Sequence, residues 1–214
     1  MEKTGESKAA LYELLAKSFL FTSREVADAL VSGDYGEALA ELVAANGLPA
    51  SEGERAAGEL DRYRGRDGDE VLHALRREYT RLYIGTRGPL IAPFAGTWDA
   101  LEKGRKPLLF VGKESMEIER CMRRCGIAHA GKSNDPLDHI GSMLEFLMHL
   151  CTLEAGLVDP PANLHVPESA YRDFYGGHFI GFAHAFGEKT MEESREGFFK
   201  AAGLVLRALP DKPL

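Results

Sequence analysis

The sequence predicts an all-α protein, a single-domain helical bundle of about nine helices with a long ordered loop between two helical halves. Two observations carry this prediction. Apolar residues recur at three- and four-residue steps through most of the 214 residues, and no pair of alternating apolar and polar runs indicates a β-hairpin. The helical period fails in one stretch, which we interpret as a hinge loop over 85–113 between an N-terminal half (1–84) and a C-terminal half (114–214).

Five helices are predicted in the N-terminal half. Apolar residues recur at helical spacing in these segments, as Leu11, Leu15 and Phe19 do in the first. Gly33 and Gly47 are expected to end the second and third helices, because glycine readily takes the left-handed conformation that follows a helix. The predicted ranges are 6–21, Ser23 (as N-cap) to about Gly33, 34–46, 51–64 and 68–84.

The segment from Gly85 to about Lys113 sustains neither the helical nor the strand period. Irregular segments of this length are uncommon in compact domains and are usually functional or disordered. Leu90, Ile91 and Trp98 give the segment an apolar content that disordered chains lack. We therefore expect an ordered loop that packs on or between the helices.

Four helices are predicted in the C-terminal half, and the second carries the most information. Asp135 is placed to cap that helix and Pro136 to occupy its first position. Asp138 then becomes the third helical residue, beside free backbone N–H groups. The helix is apolar around most of its circumference, which is typical of the centre of a bundle. The four ranges are 114–126, 135–155, 167–187 and 190–208, with joins that contain Gly131, Asp159-Pro160-Pro161 and Gly187.

One narrow polar strip interrupts this apolar surface, and it either faces solvent or lines a groove. The strip consists of Asp138, Ser142, Glu145 and His149, and helical geometry places three of them nearly in line. Simpler interpretations stay open for its members. Asp138 can be only a charge at a helix start, and Glu145 with His149 an exposed helix pair. The neighbouring His139 can be a hydrogen-bonded core histidine.

Composition and charge argue against several classes of protein. The 26 basic and 33 acidic residues give a net charge of −7, which argues against binding nucleic acid or an anionic membrane surface. No run of about 18 apolar residues is present to insert into a bilayer, and nothing near Met1 looks like a cleavable leader. Three cysteines are too few for a disulfide framework, which favours the reducing cytoplasm.

Metal chemistry finds little support in the sequence. A di-metal carboxylate site needs a Glu-x-x-His pair on each of two helices, and only Glu70 and His73 form such a pair. Cys121, Cys125 and His129 follow at four-residue steps, but a closed zinc site needs a fourth ligand. The two cysteines are therefore interpreted as small buried hydrophobes. The sequence favours a binding protein over an enzyme, with a helical metal-dependent enzyme as the alternative.

Two segments of the chain together resemble a known family. The first is Glu78-Tyr79-Thr80-Arg81-Leu82-Tyr83-Ile84-Gly85 with the following Gly88-Pro89-Leu90-Ile91-Ala92-Pro93-Phe94, and the second is Asp135-Pro136-Leu137-Asp138-His139-Ile140. The first is similar to a Tyr-x-x-Leu-Phe-x-Gly stretch followed by a proline-rich loop, and the second to a Glu-Pro-x-Asp-His signature. Both patterns belong to the TorD/DmsD/NarJ-like redox-enzyme maturation chaperones, which proofread twin-arginine signals.

The resemblance implies a cytoplasmic, all-α chaperone. Its implied partner is the catalytic subunit of a molybdopterin-containing oxidoreductase, held in the apo form and through its N-terminal signal peptide until cofactor insertion and export. The resemblance implies no cofactor beyond weak guanine-nucleotide binding, no nucleic acid, no membrane insertion, and a monomer or a domain-swapped homodimer. An adaptor for a reductase that is not exported is a further alternative.

The peptide site that the resemblance implies lies between the loop and the polar strip. A twin-arginine signal carries two arginines and then an apolar stretch, so its receptor needs carboxylates beside an apolar groove. Asp138 and Glu145 can supply the carboxylates, and the loop can supply the apolar border. The predicted peptide-binding residues are Tyr79, Leu82, Tyr83, Pro89, Pro93, Phe94, Trp98, Asp135, Asp138, His139, Ser142 and Glu145.

Overall fold

A computed structural model describes residues 5–107, 112–127, 136–160 and 164–214. Throughout those ranges the regular secondary structure is helical, so the predicted all-α class is confirmed. The α-helices are α1 (Gly5–Phe19), α2 (Arg24–Ser32), α3 (Asp34–Ala45), α4 (Ala50–Asp61), α5 (Gly68–Tyr79), α6 (Ala95–Glu102), α7 (Lys113–Arg124), α8 (Ile140–Glu154), α9 (Ala170–Phe174), α10 (Ile180–Glu193) and α11 (Gly197–Ala208). A wide π-helical turn follows α5 over Thr80–Ile84, and a second over Tyr175–Phe179 joins α9 to α10.

Helices from both ends of the chain build the core. Helix α1 lies against α8, and α11 packs on α4 and α10. The Tyr63 hydroxyl donates to Glu196 Oε2 (2.7 Å) and accepts from the Phe198 N–H (3.1 Å), which ties the end of α4 to the start of α11. Buried apolar side chains from Ala9 to Leu214 form one cluster. The described residues of the two predicted halves therefore share a single core.

Local caps fix both boundaries of α2 and the start of α5 where the sequence predicts them. Ser23 Oγ accepts the Val26 N–H (3.3 Å) at the start of α2, and Gly33 ends that helix with a φ of +94°. Asp67 Oδ1 accepts the Glu70 N–H (2.9 Å) at the start of α5. Each of these signals acts within three residues of the boundary, so the sequence alone reveals it.

The predicted loop over 85–113 contains a helix, so its description as irregular throughout is wrong. Helix α6 occupies Ala95–Glu102 and spans little more than two turns, too short for a periodic apolar pattern to register. Its first N–H groups are satisfied from a distant part of the chain, since the Ala95 N–H donates to Asp138 O (2.9 Å). A cap supplied across 43 positions leaves no local signal in the sequence.

Helix α8 begins at Ile140, so the predicted start at Asp135 is wrong; Asp135 itself lies outside the described residues. The preceding residues form a turn in which the His139 N–H donates to Pro136 O (3.0 Å). His139 is the N-cap, and its Nδ1 accepts the Gly141 N–H (3.1 Å). Asp138 therefore precedes the helix, because its main-chain and side-chain oxygens are engaged by α6.

Gly187 does not end a helix, contrary to the sequence prediction. Helix α10 continues through it to Glu193, and the break before α11 falls at Ser194. A Cβ atom on Gly187 would lie 2.9 Å from Gly203 O, so the glycine allows α10 and α11 to cross closely. A glycine between two apolar runs can end a helix or can allow two helices to cross closely. The sequence around Gly187 does not distinguish these two cases, because the difference depends on the neighbouring helix.

Candidate functional site

The two segments that carry the family resemblance meet as a short antiparallel pairing. Phe94 and His139 form an isolated antiparallel bridge. The Ile140 N–H donates to Pro93 O, and the Ala95 N–H donates to Asp138 O, both at 2.9 Å. The end of the 85–94 loop and the turn before α8 are therefore held together by main-chain hydrogen bonds.

Asp138 lies at the centre of this joint and is only 4 % exposed. Its Oδ2 accepts the Gly96 N–H (3.1 Å) and the Ser115 hydroxyl (2.7 Å). A Cβ on Gly96 would collide with Ser115 Oγ, so the close approach depends on glycine. Asp138 thus caps α6 from outside and fastens α7 to the same point.

The predicted polar strip does not exist as one surface. Asp138 is buried ahead of α8, whereas Ser142 and His149 are half-buried and Glu145 is exposed on the helix itself. The predicted helix start at Asp135 wrongly places Asp138 on the same helix face as Glu145. A turn separates Asp138 from α8, so the two carboxylates do not share one helical register. Peptide binding by these residues stays a prediction, with the exposed Glu145 as its accessible carboxylate.

His139 is a buried, hydrogen-bonded histidine, which is the simpler of the two interpretations. It is 7 % exposed, and its Nδ1 accepts a main-chain N–H, so this nitrogen carries no proton in the observed geometry. The Phe94 ring packs against it edge to face, with the ring centres 5.6 Å apart. Phe94 therefore covers the joint rather than standing free in the loop.

Trp98 projects from α6 and is partly buried. Its Nε1–H donates to Ala92 O (2.7 Å), and its ring lies 6.1 Å from the ring of Phe182 on α10. Pro93 is buried beneath the joint, while Pro89 is exposed on the loop. The structure thus brings Pro93, Phe94, Trp98, Asp138 and His139 into one region.

The three predicted site residues before the loop lie in the core. Leu82 is fully buried, and Tyr79 and Tyr83 are nearly so. The Tyr83 ring stacks on Phe186 with ring centres 5.6 Å apart. Leu82 O also accepts the Ile91 N–H (2.9 Å), so these residues anchor the loop from below.

A groove of about 650 Å³ opens between α6 and the π turn that precedes α10. We call it the glycine groove, because Gly176, Gly177 and Gly181 form its floor. A Cβ added at any of these three glycines would meet no atom within 4 Å, so the floor faces open space. The other lining residues are Ala95, Trp98, Asp99, Leu101, Glu102, Lys103, Glu114, His178, Phe182 and Ala185.

The glycine groove combines apolar walls with one exposed carboxylate at its mouth. Leu101 is 59 % exposed, which is unusual for so large an apolar side chain. Asp99 is paired with Lys103 and Arg105, while Glu102 is exposed at the mouth. The groove therefore offers apolar surface beside the Glu102 carboxylate.

His178 closes one end of the groove. Its Nδ1 lies 2.6 Å from Glu114 Oε1, and this hydrogen bond raises the pKa of His178, against the opposing effect of partial burial. The hydrogen bond holds the His178 ring across this end of the groove and ties the π turn to α7.

Sequence reasoning missed the glycine groove. The spacing of Phe174, His178, Phe182 and Phe186 predicts a core face, and Phe174 and Phe186 are fully buried, whereas His178 is only half-buried. Phe182 instead borders the groove. The signal that was available is Gly177 and Gly181, which lie one helical turn apart among aromatic residues and so leave one helix face bare.

Two negative findings concern the part of the chain that the structure describes. No group of three or more histidine, cysteine, aspartate or glutamate side chains there is arranged to hold a metal ion. No helix in the same ranges is long and apolar enough to cross a lipid bilayer.

Comparison with known proteins adds a family match. The model of the family described as nitrate reductase delta subunit matches residues 46–188, which include the joint at Asp138 and both walls of the glycine groove. Three similar proteins each bear the name Chaperone protein TorD. The one from Vibrio cholerae serotype O1 strain O395 is 24 % identical over 136 residues, which cover 64 % of this chain and 59 % of that protein.

The other two relatives agree with the first. The protein from Vibrio cholerae strain N16961 is 25 % identical over 128 residues, covering 60 % of this chain and 55 % of its own length. The protein from Shewanella pealeana is 22 % identical over 136 residues, covering 62 % and 56 %. The chain therefore spans less than two thirds of the length of each relative that it matches.

Proposed function

The chain belongs to the nitrate reductase delta subunit family, and from that membership we propose that it is a chaperone in the maturation of a redox enzyme. More specifically, it binds the N-terminal signal peptide and the apo form of a molybdopterin-containing oxidoreductase, and assists cofactor insertion before export. The shared name of the relatives, Chaperone protein TorD, supports a binding role rather than a catalytic one.

The glycine groove is the observation that carries the peptide-binding part of this proposal. Its bare floor at Gly177 and Gly181 lets a peptide backbone approach the helix, and Trp98 and Phe182 offer apolar contact. Glu102 at the exposed rim can pair with an arginine of the peptide. A peptide with two arginines followed by an apolar stretch would place an arginine at Glu102 and its apolar stretch along Trp98 and Phe182.

The test is a titration of the full chain with a synthetic peptide that carries two adjacent arginines and then an apolar stretch. Gly181→Leu fills the groove, and we expect affinity to fall at least about tenfold, a loss of roughly 1.4 kcal/mol. Gly58→Leu is the matched control, because Gly58 is also an exposed helical glycine with open space around its Cβ position. The control should bind as the wild type does.

Both leucine variants should melt no lower than the wild type, since replacing a helical glycine improves helix propensity. Equal binding by wild type and Gly181→Leu would reject the groove as the peptide site. Absence of binding by the wild type, together with stoichiometric metal in the purified protein, would reject the chaperone proposal in favour of a helical metal-dependent enzyme.

Finer expectations accompany the proposal and have their own tests. A cytoplasmic location, weak guanine-nucleotide binding, and a monomer or domain-swapped homodimer are implied by the family resemblance. Calorimetry with GTP and sedimentation analysis examine the last two directly. The leader of the client enzyme would distinguish an exported reductase from one that stays inside the cell.

A further inference from the structure

The glycine groove contains a second carboxylate, Asp99, which cations of the same chain cover. Asp99 lies one helical turn before Glu102 on α6, and both residues line the groove. Lys103 Nζ donates to Asp99 Oδ1, and Arg105 Nη2 donates to Asp99 Oδ2 (3.2 Å). Each oxygen of the Asp99 carboxylate is therefore held by a separate cation of the segment that follows α6.

The backbone at the end of α6 brings these cations back onto the helix. Gly104 has a φ of +64°, and its N–H donates to Leu101 O (3.0 Å). The Arg105 N–H donates to Ala100 O (2.7 Å). These two hydrogen bonds form a Schellman motif, in which a glycine in the left-handed conformation turns the chain away from the helix axis. Because of this turn, the Arg105 guanidinium reaches back to Asp99.

Both ion pairs at Asp99 can be exchanged for a stronger one. The Lys103 and Arg105 side chains are each 54 % exposed, so water screens their attraction to the carboxylate. The Asp99 side chain is only 18 % exposed. A single guanidinium can bond both oxygens of one carboxylate, and such a pair is stronger where water is partly excluded. An arginine that enters along the groove meets these conditions at Asp99.

A simpler interpretation is that the two cations only stabilise the end of α6. Asp99 and Lys103 form an i, i+4 helix pair, and the helix dipole favours cations near a helix C-terminus. Asp99 and Lys103 nevertheless both line the groove, so this ion pair lies where a bound peptide would lie. The two interpretations differ in one measurable respect, because only a competitor at the peptide site alters peptide affinity when it is removed.

We propose that Asp99 binds one arginine of the peptide, beside Glu102 for the other, and that Lys103 and Arg105 cover Asp99 in the free protein and are displaced on binding. This inference rests on the proposed function, for which it supplies the second carboxylate. The two acidic residues lie toward the C-terminus of α6 and Trp98 precedes them. The arginine pair therefore lies over the last turn of α6, and the apolar stretch extends from there along Trp98.

Titration of full-chain variants with the peptide that carries two arginines and an apolar stretch tests this exchange. Lys103→Gln/Arg105→Gln uncovers Asp99 and should bind about tenfold more tightly than the wild type, whereas Asp99→Asn should bind about tenfold more weakly. Arg105→Gln alone should give part of the gain. Its matched control is Lys106→Gln, which removes one exposed cation that does not hold Asp99 and should alter affinity less than about twofold.

The same double change in an Asp99→Asn background separates competition from a general effect of charge. The triple variant should bind no more tightly than Asp99→Asn, because the carboxylate for which the cations compete is lost. A gain that persisted in this background would overturn the proposal, and so would equal affinity of the wild type and Lys103→Gln/Arg105→Gln. In both cases binding by the wild type would leave the chaperone proposal intact. Absence of binding by both of these proteins, with helix content unchanged by circular dichroism, would reject both proposals.

Discussion

Replacing Asp138 should destabilise the fold by an amount that its neighbours predict. Its buried carboxylate accepts two hydrogen bonds on one oxygen, from the Gly96 N–H and the Ser115 hydroxyl. Hydrogen bonds to a charged acceptor contribute about 1.5–3 kcal/mol each, against about 0.5–1.5 for neutral pairs. Asp138→Asn keeps an acceptor oxygen but loses the charge at both bonds, so we expect a loss of about 2 kcal/mol.

Asp138→Ala should cost more, because it leaves the Ser115 hydroxyl and the Gly96 N–H buried without an acceptor. We expect about 4 kcal/mol for this variant, roughly half of it from each donor. Ser115→Ala removes one of these donors. The double variant Asp138→Ala/Ser115→Ala should therefore lose less stability than the two single variants lose together, by a coupling energy of about 1–2 kcal/mol.

Urea unfolding at neutral pH, followed by circular dichroism, measures these losses. Asp67→Asn is the matched control, because Asp67 is an exposed N-cap that accepts a single main-chain N–H. Asparagine caps about as well as aspartate, so the control should lose only a few tenths of a kcal/mol. If Asp138→Asn were no more destabilising than Asp67→Asn, or if Asp138 and Ser115 showed no coupling, the joint would not stabilise the fold as described.

Further predictions concern Glu78 on α5 and two glycines on α10. Burial raises the pKa of Glu78, but hydrogen bonds from Arg81 and the Arg195 N–H outweigh this effect, so the pKa lies below the ordinary value. The stability that the ionised Glu78 contributes is therefore lost as the pH falls through this lowered pKa. Glu78→Gln should therefore cost about 2 kcal/mol at neutral pH and progressively less in acid, measured by urea unfolding against pH; an equal cost at every pH would contradict this. Gly187→Ala should lower stability by about 1–2 kcal/mol in thermal melts, because its Cβ would press on Gly203 O, whereas Gly181→Ala should raise it.

Features with local causes could be predicted from the sequence. Ser23 and Gly33 bound α2 by contacts within a few residues, and the apolar spacing of α1 reports a helix face that is buried against α8. The features that sequence reasoning missed have distant causes. Helix α6 depends on Asp138, and the meaning of Gly187 depends on Gly203.

The candidate site also depends on contacts between segments that lie far apart in the sequence. The resemblance draws attention to the segments around Pro93 and Asp138, but the sequence could not show that these segments contact each other. A helix period extended back to Asp135 places Asp138 on a surface strip, and only the partner segment reveals that its oxygens are already occupied. Conversely, only the spacing of Gly177 and Gly181 marks the glycine groove in the sequence, because its other wall is helix α6, which the periodic pattern does not predict.

The joint at Asp138 also explains how a buried residue can influence a surface groove. Helix α6 carries Trp98 and Leu101, which form one wall of the glycine groove, and its N-terminus is held by Asp138. Loss of that cap would release the wall while Gly177 and Gly181 stay fixed on the opposite side. Asp138→Asn should therefore weaken peptide binding only as far as it loosens α6, whereas Glu102→Gln should weaken it without any loss of stability. The emission of Trp98, the only tryptophan in the chain, reports whether α6 has loosened. If Asp138 contacted the peptide directly, Asp138→Asn would abolish binding even in a protein whose Trp98 emission remained that of the wild type, and this result would refute the indirect role of Asp138.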